Sequence, residues 1–120
     1  MTQVKEWSKQ ELNRKLAELM GYEIKDGHIG YLSAILVPRE SSDELHVWRY
    51  FDPCTDPAAS LEVQAAAIKV SVDKYLNNLD KLVNPTPLQS EWENKEIANL
   101  LTASPRERAE AAYQTLSGEQ

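Results

Sequence analysis

The stretch Leu45–Pro57 reads LHVWRYFDPCTDP, and it contains residues typical of a strand followed by residues typical of a helix start. Its first seven residues are rich in aromatic and β-branched side chains, which is typical of a strand. Asp56 then fits a helix N-cap, and Pro57 fits the first helical position, where its missing N–H costs nothing. The stretch therefore predicts a strand that leads directly into a helix.

Upstream, the sequence predicts a first helix and a second strand. Ser8 and Glu11 have the spacing of a helix-capping box, an apolar stripe follows them, and Gly21 fits a left-handed helix end. Asp26-Gly27 is typical of a turn. Residues 31–37 predict a buried strand, which ends before a loop and pairs with the strand of residues 45–51 in a hairpin.

Downstream of Pro57, apolar residues recur with helical spacing over six turns. They predict one long helix with a single core-facing stripe: Leu61, Ala65, Ile68, Val72, Tyr75 and Leu79. Asn84-Pro-Thr-Pro87 predicts a hinge after this helix. Residues 88–96 fit either a short helix or a short strand.

Ser90 and Glu93 have the spacing of a capping box, and so do Ser104 and Glu107 at the start of the final segment. This final segment predicts a helix that ends at Gly118 and whose alanines pack closely against a neighbour. At 120 residues the chain is long enough for one hydrophobic core, so we expect a single domain with residues 1–6 and 118–120 flexible.

Three sequence blocks resemble one family. They are Glu11–Gly21 (ELNRKLAELMG), Phe51–Val63 (FDPCTDPAASLEV) and Thr102–Tyr113 (TASPRERAEAAY). Their order is similar to that of the phage ABA-sandwich domain, found in small proteins of phages and prophages. The resemblance implies an α+β fold, with helices on both sides of a small antiparallel sheet (an α/β/α sandwich). It implies a phage or prophage origin and no particular reaction, because no enzymatic activity defines that family.

Composition and charge argue against several classes of protein. The formal net charge is −6 and the 13 basic residues are scattered, which argues against nucleic-acid binding. No apolar run reaches the length of a membrane helix, and the first residues lack an apolar signal-peptide core, so we expect neither a membrane span nor a secretory signal. With one cysteine the chain forms no internal disulfide, so we expect a cytoplasmic protein.

The sequence holds no established catalytic motif, so we expect a protein that is not an enzyme and uses no cofactor. His46, Cys54 and the aspartates 52 and 56 would suit a metal, but turn and cap roles explain these aspartates, and we predict no metal site. Cys54 as a nucleophile would need a base, and nothing in the sequence places His28 or His46 beside it.

Two sets of residues are candidates for binding. Arg106 and Arg108 lie in the first turns of the final helix, where free amides and guanidinium groups suit an anion. Trp92 has few apolar neighbours in sequence, and Trp48 and Tyr50 lie on the outer strand, so these aromatics suit an interface. We therefore expect an accessory protein that binds a protein partner and self-associates as a homodimer. The alternative is a module that binds or sequesters a small, nucleotide-like anion.

Overall fold

A computed structural model of the chain describes residues 6–29, 32–38, 48–84 and 93–118. These residues form five helices and one three-stranded antiparallel sheet, so the predicted α+β class is confirmed. In chain order the elements are α1 (Lys9–Leu19), β1 (Lys25–Ile29), β2 (Leu32–Pro38), β3 (Trp48–Tyr50), α2 (Pro57–Val70), α3 (Val72–Val83), α4 (Asn94–Leu101) and α5 (Pro105–Ser117).

The sheet has the strand order β1-β2-β3. β2 pairs with β3 with Leu36 opposite Tyr50, and the amide of Phe51 extends the pairing by donating to the carbonyl oxygen of Ile35 at 2.8 Å. The predicted pairing of the two strands is therefore confirmed, while residues 45–47 of the predicted second strand lie outside the described residues.

The predicted turn at Asp26-Gly27 is wrong. Both residues lie inside β1, where they pair with Ile35 and Ala34, and the register brings Ile29 opposite Leu32. A Cβ at Gly27 would lie 2.6 Å from Leu36 Cδ1, so the glycine provides room for that side chain within the sheet.

Local capping signals place the first helix correctly. The Ser8 hydroxyl accepts a hydrogen bond from the Glu11 amide at 3.1 Å, and α1 begins at the next residue. Gly21 follows the helix end with a φ of 75°, a left-handed conformation that glycine adopts without a steric penalty. Asp56 caps α2 in the same way as Ser8 caps α1, by accepting from the Ala58 amide.

The predicted long helix over six turns is wrong, because the chain divides at Ser71. This residue has extended backbone angles (φ −167°, ψ 110°), and its hydroxyl accepts from the Lys74 amide at 3.2 Å to cap a new helix. The break resets the helical phase, so the apolar stripe does not continue across it. Tyr75 and Leu79 are buried as predicted, whereas Val72 and the α2 part of the stripe are exposed, contrary to the prediction.

The last third of the chain is helical where it is described. α4 begins after Glu93, which forms a capping box with Glu96, so residues 94–96 are helix rather than strand. Residues 85–92 lie outside the described residues, and with them lie the rest of the predicted hinge and Trp92. α5 begins at the predicted capping box of Ser104 and Glu107, and Gly118 ends it with a φ of 77°.

α5 is the helix against which α1, α2 and α3 all pack. Its buried face includes the fully buried alanines 109, 111 and 112, and small side chains allow neighbouring helices to approach closely. The sheet joins this cluster through β2, which contacts α1 and contributes Ile35 and Val37 to the core. Within the described ranges, no helix combines the length and apolar character that crossing a membrane requires.

Candidate functional site

Arg106, one of the two predicted anion-binding arginines, contacts groups of the protein itself. Its Nε donates to Glu110 Oε2 at 2.6 Å, and its Nη2 donates to the backbone oxygen of Trp7 at 2.8 Å. A third nitrogen lies 3.8 Å from Cys54 Sγ. Only 26% of the Arg106 side chain is exposed. This arginine therefore connects α5 to the segment before α1 and to the turn before α2.

Arg108 lies two residues further along α5 and contacts a different element. Its Nη1 donates to the Ser60 hydroxyl at 3.2 Å, which links α5 to α2. Two residues span about 200° around an α-helix, so the two guanidinium groups leave α5 on different sides. Arg106 and Arg108 therefore contact different parts of the chain, and an anion site that uses both of them stays a prediction.

The predicted aromatic residues that can be described lie on β3, an edge strand of the three-stranded sheet. Trp48 is half-buried and pairs with Pro38, and Lys25 Nζ lies 5.6 Å from its ring centroid. Tyr50 is exposed at the end of the strand. The two side chains therefore differ in exposure, and Trp92 is not among the described residues.

The turn between β3 and α2 is held by polar contacts within the chain. The Asn13 side-chain amide donates to Asp52 Oδ1, the Cys54 amide donates to Asn13 Oδ1, and the Thr55 hydroxyl donates to Asp52 Oδ2. In the part of the chain that the structure describes, no group of three His, Cys, Asp or Glu side chains is arranged to hold a metal. His46 lies outside that part. The aspartates of this turn have structural partners, as their cap and turn positions indicated.

Cys54 is buried, with 5% of its surface exposed. Burial raises the pKa of its thiol to about 11, and the nearby Arg106 guanidinium opposes this rise. A thiol with such a pKa is almost entirely protonated at neutral pH, and the thiolate is the nucleophilic form. The environment of Cys54 therefore suits a packed side chain better than a reactive one.

A groove of about 450 Å³ lies between α1 and the sheet. Two basic and two acidic side chains line it, and Arg14 forms an ion pair with Asp26 there. The groove thus has no net formal charge with which to attract an anion. Its lining residues are Ser8, Gln10, Glu11, Arg14, Lys15, Asp26, Ala34 and Ile35.

Exposed apolar side chains lie along the outer face of α2. Leu61, Ile68 and Val72 are 50%, 40% and 47% exposed, and Ala65 between them is exposed as well. Leu61, Ala65 and Ile68 recur at helical spacing, so they form one apolar stripe along α2, and Val72 lies beyond the break at Ser71. We call this stripe the α2 face. Large exposed apolar patches are typical of interaction surfaces.

The opposite side of α2 is buried and consists of small side chains: Ala59, Ser60, Val63 and Ala67. This side packs against the alanine-rich α5, and residues of this size permit the close approach of the two helices. Both sides of α2 have helical periodicity, and the side with the smaller residues is the one that packs against α5. The larger side chains Leu61 and Ile68 therefore face outward.

A polar network fixes α2 relative to the sheet. Arg49 of β3 forms an ion pair with Glu62 of α2 at 2.9 Å, and the Tyr22 hydroxyl also donates to Glu62. The Arg49 guanidinium lies 5.8 Å from the ring centroids of both Tyr22 and Phe51. The hydrogen bond to Glu62 is the main cause that raises the pKa of Arg49, so the cation is firmly retained. These contacts therefore join α2, which carries the α2 face, to β3 and to Tyr22.

The sequence analysis found the residues of the α2 face but assigned them to the core. A signal for the correct assignment was present, since the other side of α2 and the final helix both carry small residues. No protein family, no characterised protein and no solved structure matches this chain. The resemblance to phage ABA-sandwich domains therefore stays a prediction from three sequence blocks.

Proposed function

We propose that this protein acts by binding a protein partner rather than by catalysis, and that the α2 face is its contact surface. The observation that supports this most is the contrast within α2, where Val63 and Ala67 have no exposed surface while Leu61 and Ile68 are about half exposed. Apolar area in water costs about 25 cal/mol per Å², so covering this stripe would be favourable.

The surroundings of the stripe also suit a protein partner. Glu62 and Lys69 lie along one flank, and an apolar centre with a charged border is the usual anatomy of a protein interface. Amphipathic helices recognise partners through apolar residues at such spacing. The accessory role in a phage or prophage that the sequence resemblance implies is in line with a protein that binds, and we keep it as part of the proposal.

The proposed function can be tested by site-specific photo-crosslinking in the cells that naturally make the protein. A benzophenone amino acid is introduced in place of Ala65, within the α2 face, or in place of Glu18, which is exposed on α1. We expect a covalent protein adduct from position 65 that is absent from position 18.

A matched pair of substitutions makes the test specific. Leu61→Glu adds a charge to the α2 face, and Asn77→Glu adds the same charge to an exposed position on α3. The adduct from position 65 should disappear in the first variant and persist in the second, while circular dichroism shows both variants folded. An adduct of equal yield from positions 65 and 18, or none from either, would overturn the proposal.

A further inference from the structure

We propose that the partner of the α2 face is a second copy of this chain, with the two α2 helices packed antiparallel about a twofold axis near Ala65. This inference rests on the proposed function, because it identifies the occupant of the same surface. It is supported by the order of side-chain sizes along the face and by the placement of two charges beside it.

The α2 face is self-complementary in shape. The small Ala65 lies between the larger Leu61 and Ile68, which are four residues before it and three residues after it. If a twofold axis relates two antiparallel helices, Leu61 of one copy lies beside Ile68 of the other. The two alanines then meet near the crossing point, where small side chains let the helix axes approach closely. The same surface patch thus serves both copies, as a twofold interface requires.

The charges beside the stripe are complementary under the same symmetry. On a helical projection of 100° per residue, Glu62 and Lys69 lie on the same flank of the stripe. A perpendicular twofold axis keeps that flank on the same side in both copies. Pairing Leu61 with Ile68 then brings Glu62 of one copy to within about 3 Å, along the helix axis, of Lys69 of the other. Because Glu62 already pairs with Arg49 of its own chain, Lys69 of the other copy would join that ion pair on each side of the twofold axis.

The size of the α2 face determines how strong the proposed dimer is expected to be. α2 has 14 residues, so it is about 21 Å long, and a helix presents a face about 10 Å wide. A footprint of this size is small beside the roughly 800 Å² per partner of a standard interface. We therefore expect a weak dimer that dissociates on dilution, with a dissociation constant in the micromolar range or higher.

Cysteine crosslinking tests the geometry directly. Ala65→Cys lies next to the axis and should form a disulfide with itself. Leu61→Cys and Ile68→Cys are each about 10 Å from their own symmetry mates along the axis, beyond the roughly 7 Å that a disulfide spans. Each alone should therefore crosslink at least tenfold less than an equimolar mixture of the two. The native Cys54 is buried and serves as the same background in every variant.

Sedimentation equilibrium, from nanomolar to millimolar protein, gives the assembly state. We expect the wild-type mass to rise from one to two chains with concentration and Leu61→Glu to remain a monomer throughout. Disulfide formation by Leu61→Cys alone, with no gain in the mixture, would overturn the antiparallel arrangement. A wild-type monomer at every concentration would overturn self-association.

The mass of the photo-crosslinked adduct from position 65 separates this inference from the proposed function. An adduct of twice the chain mass supports both. An adduct with a different protein, combined with a monomer in sedimentation, overturns the second-copy inference and leaves the binding function standing. The absence of any adduct overturns the binding function as well.

Discussion

The side-chain amide of Asn13 donates a hydrogen bond to Asp52 Oδ1 at 2.9 Å, across 39 positions of sequence. Its other atom, Oδ1, accepts from the Cys54 amide at 3.3 Å, so one buried side chain joins α1 to the turn before α2. Asn13→Ala removes both bonds and leaves the buried backbone amide of Cys54 without the Asn13 oxygen as its acceptor. We expect the free energy of unfolding to fall by about 2 kcal/mol, as measured by urea denaturation.

Asn77→Ala is the control for this substitution, because Asn77 is exposed on α3. Its effect should stay within about 0.5 kcal/mol, the range of ordinary surface substitutions. Equal unfolding free energies for the two variants would contradict the role assigned to Asn13.

The orientation of α2 gives a second prediction. Leu61→Lys should change the free energy of unfolding by no more than about 0.5 kcal/mol, because half of this side chain is already in water. Val63→Ala, two residues away, should cost about 2 kcal/mol because Val63 is fully buried. Urea denaturation must be carried out at low protein concentration, where monomer dominates. A larger loss from Leu61→Lys than from Val63→Ala would show that the helix faces the other way.

Stability should fall at alkaline pH because of two buried groups. Burial raises the pKa of the Cys54 thiol from 9.0 to about 11 and also raises the pKa of Tyr75. Above pH 9 the unfolded thiol loses a proton that the folded protein retains, so the unfolded state is favoured as pH rises. Each such group lowers the free energy of unfolding by up to about 1.4 kcal/mol per pH unit. Well below pH 9 the thiol is protonated in both states, so it adds nothing to this loss.

Urea denaturation at a series of pH values between 9 and 11 checks this prediction. Cys54→Ala should lose stability less steeply with pH than the wild type, whatever its absolute stability. Tyrosines and lysines elsewhere contribute equally to both proteins, so the difference in slope isolates the thiol. Identical slopes would show that Cys54 ionises in the folded protein as it does in the unfolded one.

The sequence predicted helix starts well because the capping interactions are local. Ser8, Asp56 and Ser104 each accept a hydrogen bond from an amide two or three residues away, and such a pattern is visible in the sequence. The turn signal Asp26-Gly27 failed because the pairing of β1 with β2 outweighed a local preference. Register depends on both strands together, so one dipeptide does not determine it.

The candidate binding surface was hidden from sequence reasoning for a different reason. Helical periodicity shows that Leu61 and Ile68 share a face, but it does not show whether that face points inward. The answer depends on the width of the space beside α5, which is set by alanines about 45 residues later in the chain. Similarly, two of the partners of Arg106, Trp7 and Cys54, lie far away in sequence.

The internal partners of Arg106 lead to a prediction about anions. Its guanidinium already contacts Glu110 and the Trp7 carbonyl, and the chain has a net charge of −6. We therefore expect inorganic phosphate and nucleotides to leave the melting temperature unchanged at matched ionic strength, as measured by differential scanning calorimetry. A saturable rise that Arg108→Gln abolishes would instead support the small-anion alternative.

The central position of α5 has a consequence for how the protein is made. The helix on which α1, α2 and α3 pack is the one synthesised after all the other described elements. On the ribosome the earlier helices therefore emerge without the surface that buries them, and their apolar faces stay accessible until Ser117 has left the exit tunnel. Because domains fold as units, we expect folding to occur late and in one step. Ribosome-bound chains in which α5 has not yet emerged should therefore remain sensitive to proteases.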